Sequence, residues 1–345
     1  MYLDWNATAP MSAGVIRKYH WALENCWANA HSQHRMGRTT AVEVEKSREI
    51  LADVLDVVPK QIRFTSGATE ANSWICSHFQ KLGKIIVSAV EHPSIWAWKD
   101  VSLPVDSNGI VDLRVLKICL EKKNISLVSI MAANNETGVL QPVEEISEIC
   151  KFYQVPFHCD ASQILGRLQL KIPADFITVS GHKFGAPKGV GALILKQEIV
   201  PLLRGGEQER GTRAGTVNAP SIIAMGEAAS ECRAMTVSQQ ILLEAELEKH
   251  NAIIIGKNVP RLPNTTCALF PTPGDMIVMG LDMVEIFVST GSACSSGSSK
   301  DSRVLEAMGY RGIPVRFSWS GITRMEPILP IITATIKNME LACGW

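Results

Sequence analysis

The chain alternates short apolar runs with segments of helical length, and this alternation limits the folds that it can adopt. Six apolar runs have strand character: 62–65, 84–89, 125–131, 155–159, 176–180 and 190–195. Segments between them, such as 112–122 and 141–152, are long enough for a helix. Strands and helices in turn predict a largely parallel sheet flanked by helices, which is an α/β fold. Functional groups should then gather at the carboxyl ends of the strands.

A helical pattern precedes the first of these runs. Between Thr40 and Val58 apolar residues recur at three-, four- and seven-residue intervals, which predicts one buried stripe of a helix that Pro59 ends. Near residues 235–250 a polar helical stretch interrupts the alternation, and mixed signals follow it. We therefore expect a second, smaller α+β domain. Residues 291–299 are rich in serine and glycine and predict a mobile loop.

Composition excludes several classes of protein. Hydrophobic residues make up 46% of the 345 positions and charged residues 20%, which is typical of a soluble globular chain. Lys plus Arg and Asp plus Glu both number 34, so no net charge favours direct binding of nucleic acid or an anionic membrane. The apolar runs are far shorter than the roughly 20 residues that cross a bilayer. Residues 1–10 lack the pattern of a signal peptide, and we predict a cytoplasmic protein.

The first candidate site follows the apolar run 62–65. Small residues come directly after it, before a predicted helix that runs through Trp74. The unpaired amide groups of a helix start, together with the hydroxyls of Ser66 and Thr69, would form a cradle for a phosphate. The simpler interpretation is that the serine only caps the helix.

Two further candidates follow later apolar runs. Asp160 ends the run near 155–159, and Gln163 comes three positions later. An acid at the mouth of a parallel sheet can hydrogen-bond a protonated ring nitrogen, with Gln163 reaching a ring substituent, although it could equally cap the next helix. Lys183 follows the run 176–180, and an amine in partly desolvated surroundings can bond to an aldehyde. Taken alone, a lysine in a loop is usually a solvated charge.

The combination of these groups is more informative than any one of them. It comprises a phosphate cradle, an acid at one strand end and Ser180-Gly181-His182-Lys183 at another. A pyridoxal 5'-phosphate (PLP) site needs a phosphate anchor, a partner for the pyridinium nitrogen and an amine for the aldehyde. We therefore predict PLP as the cofactor.

The motifs resemble those of the cysteine desulfurases of the NifS/IscS type, which belong to the class V aminotransferase group of fold-type I PLP enzymes. The likeness covers the chain from Tyr2 to the region around Arg316. It implies a large PLP-binding domain of residues 14–240 with a mostly parallel seven-stranded sheet. A small domain of residues 1–13 and 241–345 would carry a mobile cysteine loop. The matching segments are Tyr2-Leu3-Asp4, Asn6-Ala7-Thr8, Thr65-Ser66-Gly67-Ala68-Thr69-Glu70, Glu91-His92, Asn134-Asn135-Glu136-Thr137-Gly138, Ser180-Gly181-His182-Lys183, Arg210-Gly211-Thr212-Arg213-Ala214-Gly215-Thr216 and Ser292-Ala293-Cys294.

For the cofactor, the resemblance implies that Lys183 bonds the aldehyde and that Asp160 pairs with the pyridinium nitrogen, which makes the ring an electron sink. His92 would stack on the ring and move protons, although beside a proline it could merely cap a helix. Gln163 would bond the ring hydroxyl. Thr216 would reach the phosphate in a neighbouring subunit, which implies a homodimer with composite sites. The phosphate would otherwise be held by Ala68, Thr69, Ser180 and His182.

For the substrate, the resemblance implies L-cysteine, with its carboxylate held by Asn135 and by Arg316, whose donor fork suits a carboxylate. The simpler alternatives are a turn-forming role for Asn135 and a surface charge for Arg316. Cys294 would take the sulfur as a persulfide, and a sulfur-acceptor protein would receive it for iron-sulfur cluster assembly, tRNA thiolation or DNA sulfur modification. The nine cysteines lack the spacing of a metal site, and the other eight are expected to be inert thiols.

Two other functions stay open on sequence alone. A selenocysteine lyase or another class V aminotransferase would share Lys183 and Asp160 but would not need Cys294 on a mobile loop. A non-catalytic sulfur-relay scaffold is conceivable, because Ser320-Gly321 stands where the family commonly has Gly-Arg and so lacks a basic residue. Release of alanine from cysteine, compared with formation of a keto acid, separates the enzymatic alternatives.

Overall fold

The computed structural model describes residues 1–122, 124–291 and 302–343. The strands are β1 (Ile62–Thr65), β2 (Lys84–Ser88), β3 (Val101–Leu103), β4 (Ile125–Ser129), β5 (Phe157–Asp160), β6 (Phe176–Ser180), β7 (Gly191–Leu195), β8 (Ile253–Ile254), β9 (Thr265–Leu269) and β10 (Val315–Ser318). The helices are α1 (Ala13–Asn25), α2 (Arg35–Leu55), α3 (Ala68–Phe79), α4 (Pro93–Trp96), α5 (Leu113–Glu121), α6 (Val143–Phe152), α7 (Gln208–Gly211), α8 (Ala219–Ser230), α9 (Ser238–Glu248), α10 (Gly274–Met283), α11 (Arg303–Ala307) and α12 (Leu329–Ala342). The predicted α/β class is confirmed.

Seven strands form the large sheet, in the order β1-β7-β6-β5-β4-β2-β3. Neighbouring strands are parallel except at β7, which pairs antiparallel with β1 and β6. All six strands that the apolar pattern predicts are present. The additional strand, β3, has three residues and is too short to stand out in such a pattern. Because the other strands share one direction, the loops after β1, β2, β4, β5 and β6 meet at a single edge of the sheet.

Helix α2 differs at both ends from the apolar stripe that predicts it. It begins at Arg35 because the ring of His34 accepts the amide of Gly37 and caps the helix. It ends before Asp56, whose left-handed conformation (φ 54°) stops it ahead of Pro59. A capping ring and a left-handed residue leave no apolar signature, so the pattern reports only the buried middle of the helix. None of the helices within the described ranges is long and apolar enough to span a membrane.

A second sheet contains three antiparallel strands in the order β10-β9-β8 and packs with α9, α10 and α12 around its own hydrophobic cluster. The N-terminal segment belongs to this cluster, because Leu3 is fully buried in it. Tyr2 bridges Phe287, and Asp4 bridges Ser318. The N-terminus therefore lies beside residues from the far end of the chain. The domain bounds implied by the resemblance stay a prediction.

His158 lies in the middle of the large sheet, on β5, and is fully buried. Its Nδ1 lies 2.8 Å from Ser129 Oγ on β4, and its Nε2 lies 3.0 Å from Thr178 Oγ1 on β6. Burial lowers the pKa of His158 to about 4, although the nearby charge of Asp160 acts in the opposite direction. The folded protein therefore keeps this ring neutral in mild acid.

We expect the buried ring of His158 to make the fold sensitive to acid. An unfolded chain binds a proton at this residue below the ordinary pKa of about 6.5, whereas the folded chain does so only near pH 4. The stability that comes from the neutral ring is present above pH 6.5 and is lost as the pH falls towards 4. Between pH 6.5 and pH 5 the loss of unfolding free energy should be on the order of 2 kcal/mol.

Urea unfolding of the wild type and of His158→Gln between pH 7 and pH 5 measures this loss. Glutamine can bond both hydroxyls but does not titrate, so the wild type should lose more stability than the variant. The pKa of His182 is also lowered to about 4. Both proteins share the contribution of His182, and only the difference between them reports on His158. Equal pH slopes would contradict the expectation.

Candidate active site

A cavity of about 1240 Å³ lies at the edge of the large sheet where the parallel strands end. The loops after β1, β2, β4, β5 and β6 form one side of it, and residues 6–8 with residues near the second sheet form the other. Within the described ranges, no group of three or more His, Cys, Asp or Glu residues is placed to hold a metal ion. Ten of the predicted site residues line this cavity: Ala68, Thr69, His92, Asn135, Asp160, Gln163, Ser180, His182, Lys183 and Arg316.

Lys183 lies on a short 3-10 turn (Gly181–Lys183) that follows β6 directly, so the strand brings its amine to the cavity. Its Nζ donates to the carbonyl oxygen of Asn6 at 2.7 Å and to that of Ala7 at 2.9 Å. Gln163 Nε2 donates to the same Asn6 oxygen at 3.1 Å. Sequence reasoning found this N-terminal segment only as a matching motif, because the role of a backbone carbonyl leaves no signal in a sequence.

Asp160 ends β5 and is 6% exposed. Its Oδ2 accepts a hydrogen bond from Asn72 Nδ2 at 2.9 Å, and its Oδ1 accepts one from the amide of Ser162 at 3.0 Å. The carboxylate therefore also shapes the turn after β5, but it caps no helix, because the described residues between β5 and β6 form none. Sequence reasoning missed Asn72. It is fully buried on α3 between Ala71 and Trp74, and a polar residue on the buried face of a helix is the signal that could have identified it.

His92 caps helix α4. Its Nδ1 accepts the amide of Ser94 at 3.2 Å and lies 2.8 Å from Ser94 Oγ. The ring also lines the cavity, so capping does not remove it from the predicted site. Burial lowers the pKa of His92, and the charges of Lys183 and Arg303 act in the same direction against that of Asp160. We expect a neutral imidazole at this position.

The predicted phosphate cradle lies at the start of α3. Gly67 precedes the helix with φ 152°, a conformation that favours glycine, and no side chain caps the helix. Simple capping by Ser66 is therefore not found. Gly191 on β7 packs directly against Gly67, since a Cβ added to Gly191 would lie 2.7 Å from Gly67 Cα. Burial, with the neighbouring charge of Lys183, lowers the pKa of His182 to about 4 at the same end of the cavity.

The loop that contains Thr216 is held by two ion pairs, one to α2 and one to the start of α3. Buried Glu209 pairs with Arg48 through bonds of 2.8 and 2.9 Å. Arg213 pairs with Glu70, in the first turn of α3, through bonds of 2.8 and 3.1 Å. Thr216 itself is exposed and is not among the described residues that line the cavity. Its role in the site of a partner subunit stays a prediction.

Arg316 lies on β10 and is 1% exposed, so the alternative of a surface charge is wrong. Its guanidinium donates to the carbonyl oxygen of Asn135 at 3.0 Å and pairs with the carboxylate of Asp4. Its Nε is buried and has no hydrogen-bond partner within the described chain. The turn after β4 is made by Asn134, whose Oδ1 accepts two amides at 2.9 Å. Asn135 is thus available to line the cavity.

Eight of the nine cysteines fall within the described ranges. Cys232 and Cys343 are partly exposed, and the other six are buried, as expected for inert thiols. None of these eight lines the cavity. Cys294, the predicted nucleophile, lies outside the described residues together with most of the predicted mobile loop. Burial raises the pKa to about 12 for Cys76, Cys150 and Cys267.

Known proteins resemble this chain along most of its length. A profile of the family described as aminotransferase class-V matches residues 1–318. The chain is 36% identical to a cysteine desulfurase IscS of Dictyoglomus turgidum, over 93% of this chain and 88% of that protein. A NifS-like protein from Rickettsia africae superposes with a TM-score of 0.90 at 33% identity, covering 98% of this chain and 99% of that one. A structure described as SspA in complex with cysteine has a TM-score of 0.83 at 28% identity, over 94% of this chain and 99% of its own.

These matches agree with the cavity, since five of the motifs that carry the resemblance have residues that line it, namely 6–8, 65–70, 91–92, 134–138 and 180–183. The family profile covers strands of both sheets, so the match is not limited to one domain. The chain therefore belongs to the class-V aminotransferase family, in its group of cysteine desulfurases.

Proposed function

We propose that this chain is a PLP-dependent cysteine desulfurase, which takes sulfur from L-cysteine, releases L-alanine and holds the sulfur as a persulfide on Cys294. The main support is that the amine of Lys183, the carboxylate of Asp160 and the start of α3 all line one cavity. These groups suit the aldehyde, ring nitrogen and phosphate of PLP. A relative that is 36% identical is named a cysteine desulfurase, and a structural neighbour was solved with cysteine.

The polar groups of the cavity fit this cofactor. Two donors fix the orientation of the Asp160 carboxylate, which leaves acceptor capacity for a protonated ring nitrogen. Gln163 Oε1 is buried without a hydrogen-bond partner in the described part of the chain, and a ring hydroxyl would supply one. Thr69, Ser180 and His182 line the cavity together with the first turn of α3, which supports assigning the phosphate to them. When bound, PLP withdraws electrons from the amino acid and so weakens its Cβ–S bond.

The residues around the substrate would divide its chemistry among them. Arg316 and Asn135 would hold the carboxylate, with the guanidinium already oriented by Asp4. The amine of Lys183 would act as general base for the Cα proton. The thiolate of Cys294 would attack the substrate sulfur, so that an S–S bond forms while the Cβ–S bond breaks. The electron pair of the broken bond stays with the carbon skeleton, which becomes alanine after protonation.

The assembly and the fate of the sulfur belong to the same proposal. Thr216 would complete the phosphate site of a second copy, which requires a homodimer. The persulfide would pass to an acceptor protein. A neutral net charge supports a protein intermediary over direct binding of nucleic acid.

Incubation of the purified protein with PLP and L-cysteine tests the proposed activity. We expect release of alanine, and mass spectrometry should find one added sulfur on the peptide that contains Cys294. Formation of a keto acid without alanine would instead indicate an aminotransferase. If selenocysteine is supplied in a parallel incubation and only that substrate yields alanine, the chain would be a selenocysteine lyase. If none of these products forms, the chain is not an active desulfurase.

A further inference from the structure

We propose that Asn72 and Ser94 are positioning residues that fix His92 as the neutral tautomer with its proton on Nε2. The inference deepens the proposed function, but only its kinetic readout rests on that function. It starts from a chain of hydrogen bonds that runs from Asp160 through Asn72 and Ser94 to the ring of His92.

The direction of the first bond is set by the Asp160 carboxylate. An ionised carboxylate only accepts hydrogen bonds, so the Asn72 atom that faces it must be the amide nitrogen. Asn72 is fully buried, and its Oδ1 has no partner among the described residues. Turning the amide over would place this oxygen against the carboxylate. The Asp160 carboxylate, which can only accept hydrogen bonds, therefore determines the orientation of the Asn72 amide.

The second bond follows from the first. The same Nδ2 lies 2.9 Å from Ser94 Oγ, and a nitrogen that carries two hydrogens can donate to both Asp160 and Ser94. Ser94 Oγ thus acts as the acceptor of Asn72. Its own hydrogen is left to point along the remaining short contact, which is the 2.8 Å separation from His92 Nδ1.

A backbone group fixes the last bond independently. The amide of Ser94 lies 3.2 Å from His92 Nδ1, and an amide N–H can only donate. His92 Nδ1 is therefore an acceptor in both contacts and carries no proton. Since a neutral imidazole has its proton on one nitrogen or the other, the proton is on Nε2. The hydroxyl and the amide of Ser94 favour the same tautomer.

The surrounding charges keep the ring neutral. Burial lowers the pKa of His92, the cations Lys183 and Arg303 lower it further, and Asp160 raises it. A second proton on Nδ1 would also face the amide of Ser94 and would cost that hydrogen bond. His92 therefore takes part in the reaction as a donor through Nε2. The carboxylate predicted to bind the cofactor ring also determines, through Asn72 and Ser94, which nitrogen of His92 carries the proton.

Nuclear magnetic resonance of protein labelled with ¹⁵N-histidine tests the tautomer without reference to activity. The protein has eight histidines, and the signals lost in His92→Gln identify the ring. In the wild type at pH 7 we expect a protonated Nε2 and an unprotonated Nδ1. A protonated Nδ1, alone or in a doubly protonated ring, would overturn the proposal. This result stands whether or not the protein releases alanine.

The variants Asn72→Ala and Ser94→Ala test the positioning chain. Each removes one bond that favours an unprotonated Nδ1, so the pKa of His92 should rise by roughly half a unit to one unit, the value of one hydrogen bond. Ser94→Thr keeps the hydroxyl and should restore the wild-type value. Ser77→Ala, on the same helix as Asn72 but outside the cavity, is the matched control and should change nothing. Unchanged ring signals in both Ala variants would exclude the chain.

Steady-state kinetics supply the second readout for the same variants. In the active enzyme, Asn72→Ala and Ser94→Ala should lower kcat roughly tenfold with little change in KM, since a proton donor is misplaced while the carboxylate site is intact. A matching rise in KM would show that substrate binding is disturbed as well and would count against a specific effect on His92. If the wild type releases no alanine, the proposed function is refuted. The tautomer result is unaffected, because it does not depend on activity.

Discussion

Lys183→Ala is expected to abolish both alanine release and the visible absorption of bound PLP. The amine enters the cavity at the end of β6, where the carbonyls of Asn6 and Ala7 hold it. Alanine in its place removes the group that bonds the aldehyde and the base for the Cα proton. The rate of alanine release should fall by roughly 10⁴-fold or more. Absorption spectra and an alanine assay on the same preparation measure both effects.

Two other lysine variants separate the amine from its charge and from its residue type. Lys183→Arg keeps a cation near the two carbonyls but cannot bond the aldehyde at neutral pH, because guanidinium does not lose its proton. It should therefore be as inactive as the alanine variant. Lys196 follows β7, which runs antiparallel and ends at the opposite edge of the sheet. Lys196→Ala should resemble the wild type. A coloured, active Lys183→Ala protein would refute the cofactor assignment.

The parallel sheet explains why so much of this site could be predicted from the sequence. Asp160 and Lys183 each follow an apolar run, and parallel strands bring the residues after them to one edge whatever the order of the strands. A polar residue at the end of such a run is therefore a site candidate before the topology is known. The same reasoning located the cradle at the start of α3, because β1 also ends there.

Other contributions depend on contacts between distant segments, and no local pattern could predict them. Asn6 and Ala7 act through carbonyl oxygens, which every residue possesses. Asn72 matters because α3 lies against the end of β5, which becomes visible only once the helix is packed on the sheet. The pairing of Arg316 with Asp4 likewise requires the N-terminal segment to lie beside β10.

The positions of the cysteines favour Cys294 as the proposed nucleophile. Thr290 and Ser302 line the cavity on either side of residues 292–301. Cys294 follows Thr290 by four positions in the sequence. None of the cysteines in the described ranges lines the cavity, and burial raises the pKa of most of them. Cys159 adjoins Asp160 of the cavity, but it is fully buried and burial raises its pKa, so Cys294 stays the predicted nucleophile.

Cys294→Ser should keep the visible absorption of bound PLP and lose sulfur transfer. A hydroxyl cannot take the substrate sulfur as a persulfide, so alanine release should fall by at least about 100-fold. The mass of the peptide that contains position 294 should not rise after treatment with cysteine.

Cys232→Ser is the matched control, since Cys232 is partly exposed and burial raises its pKa to about 11. This variant should keep both colour and turnover. If Cys294→Ser released alanine at the normal rate, another group would have to accept the sulfur. The cofactor site would still stand, because it is tested separately through Lys183.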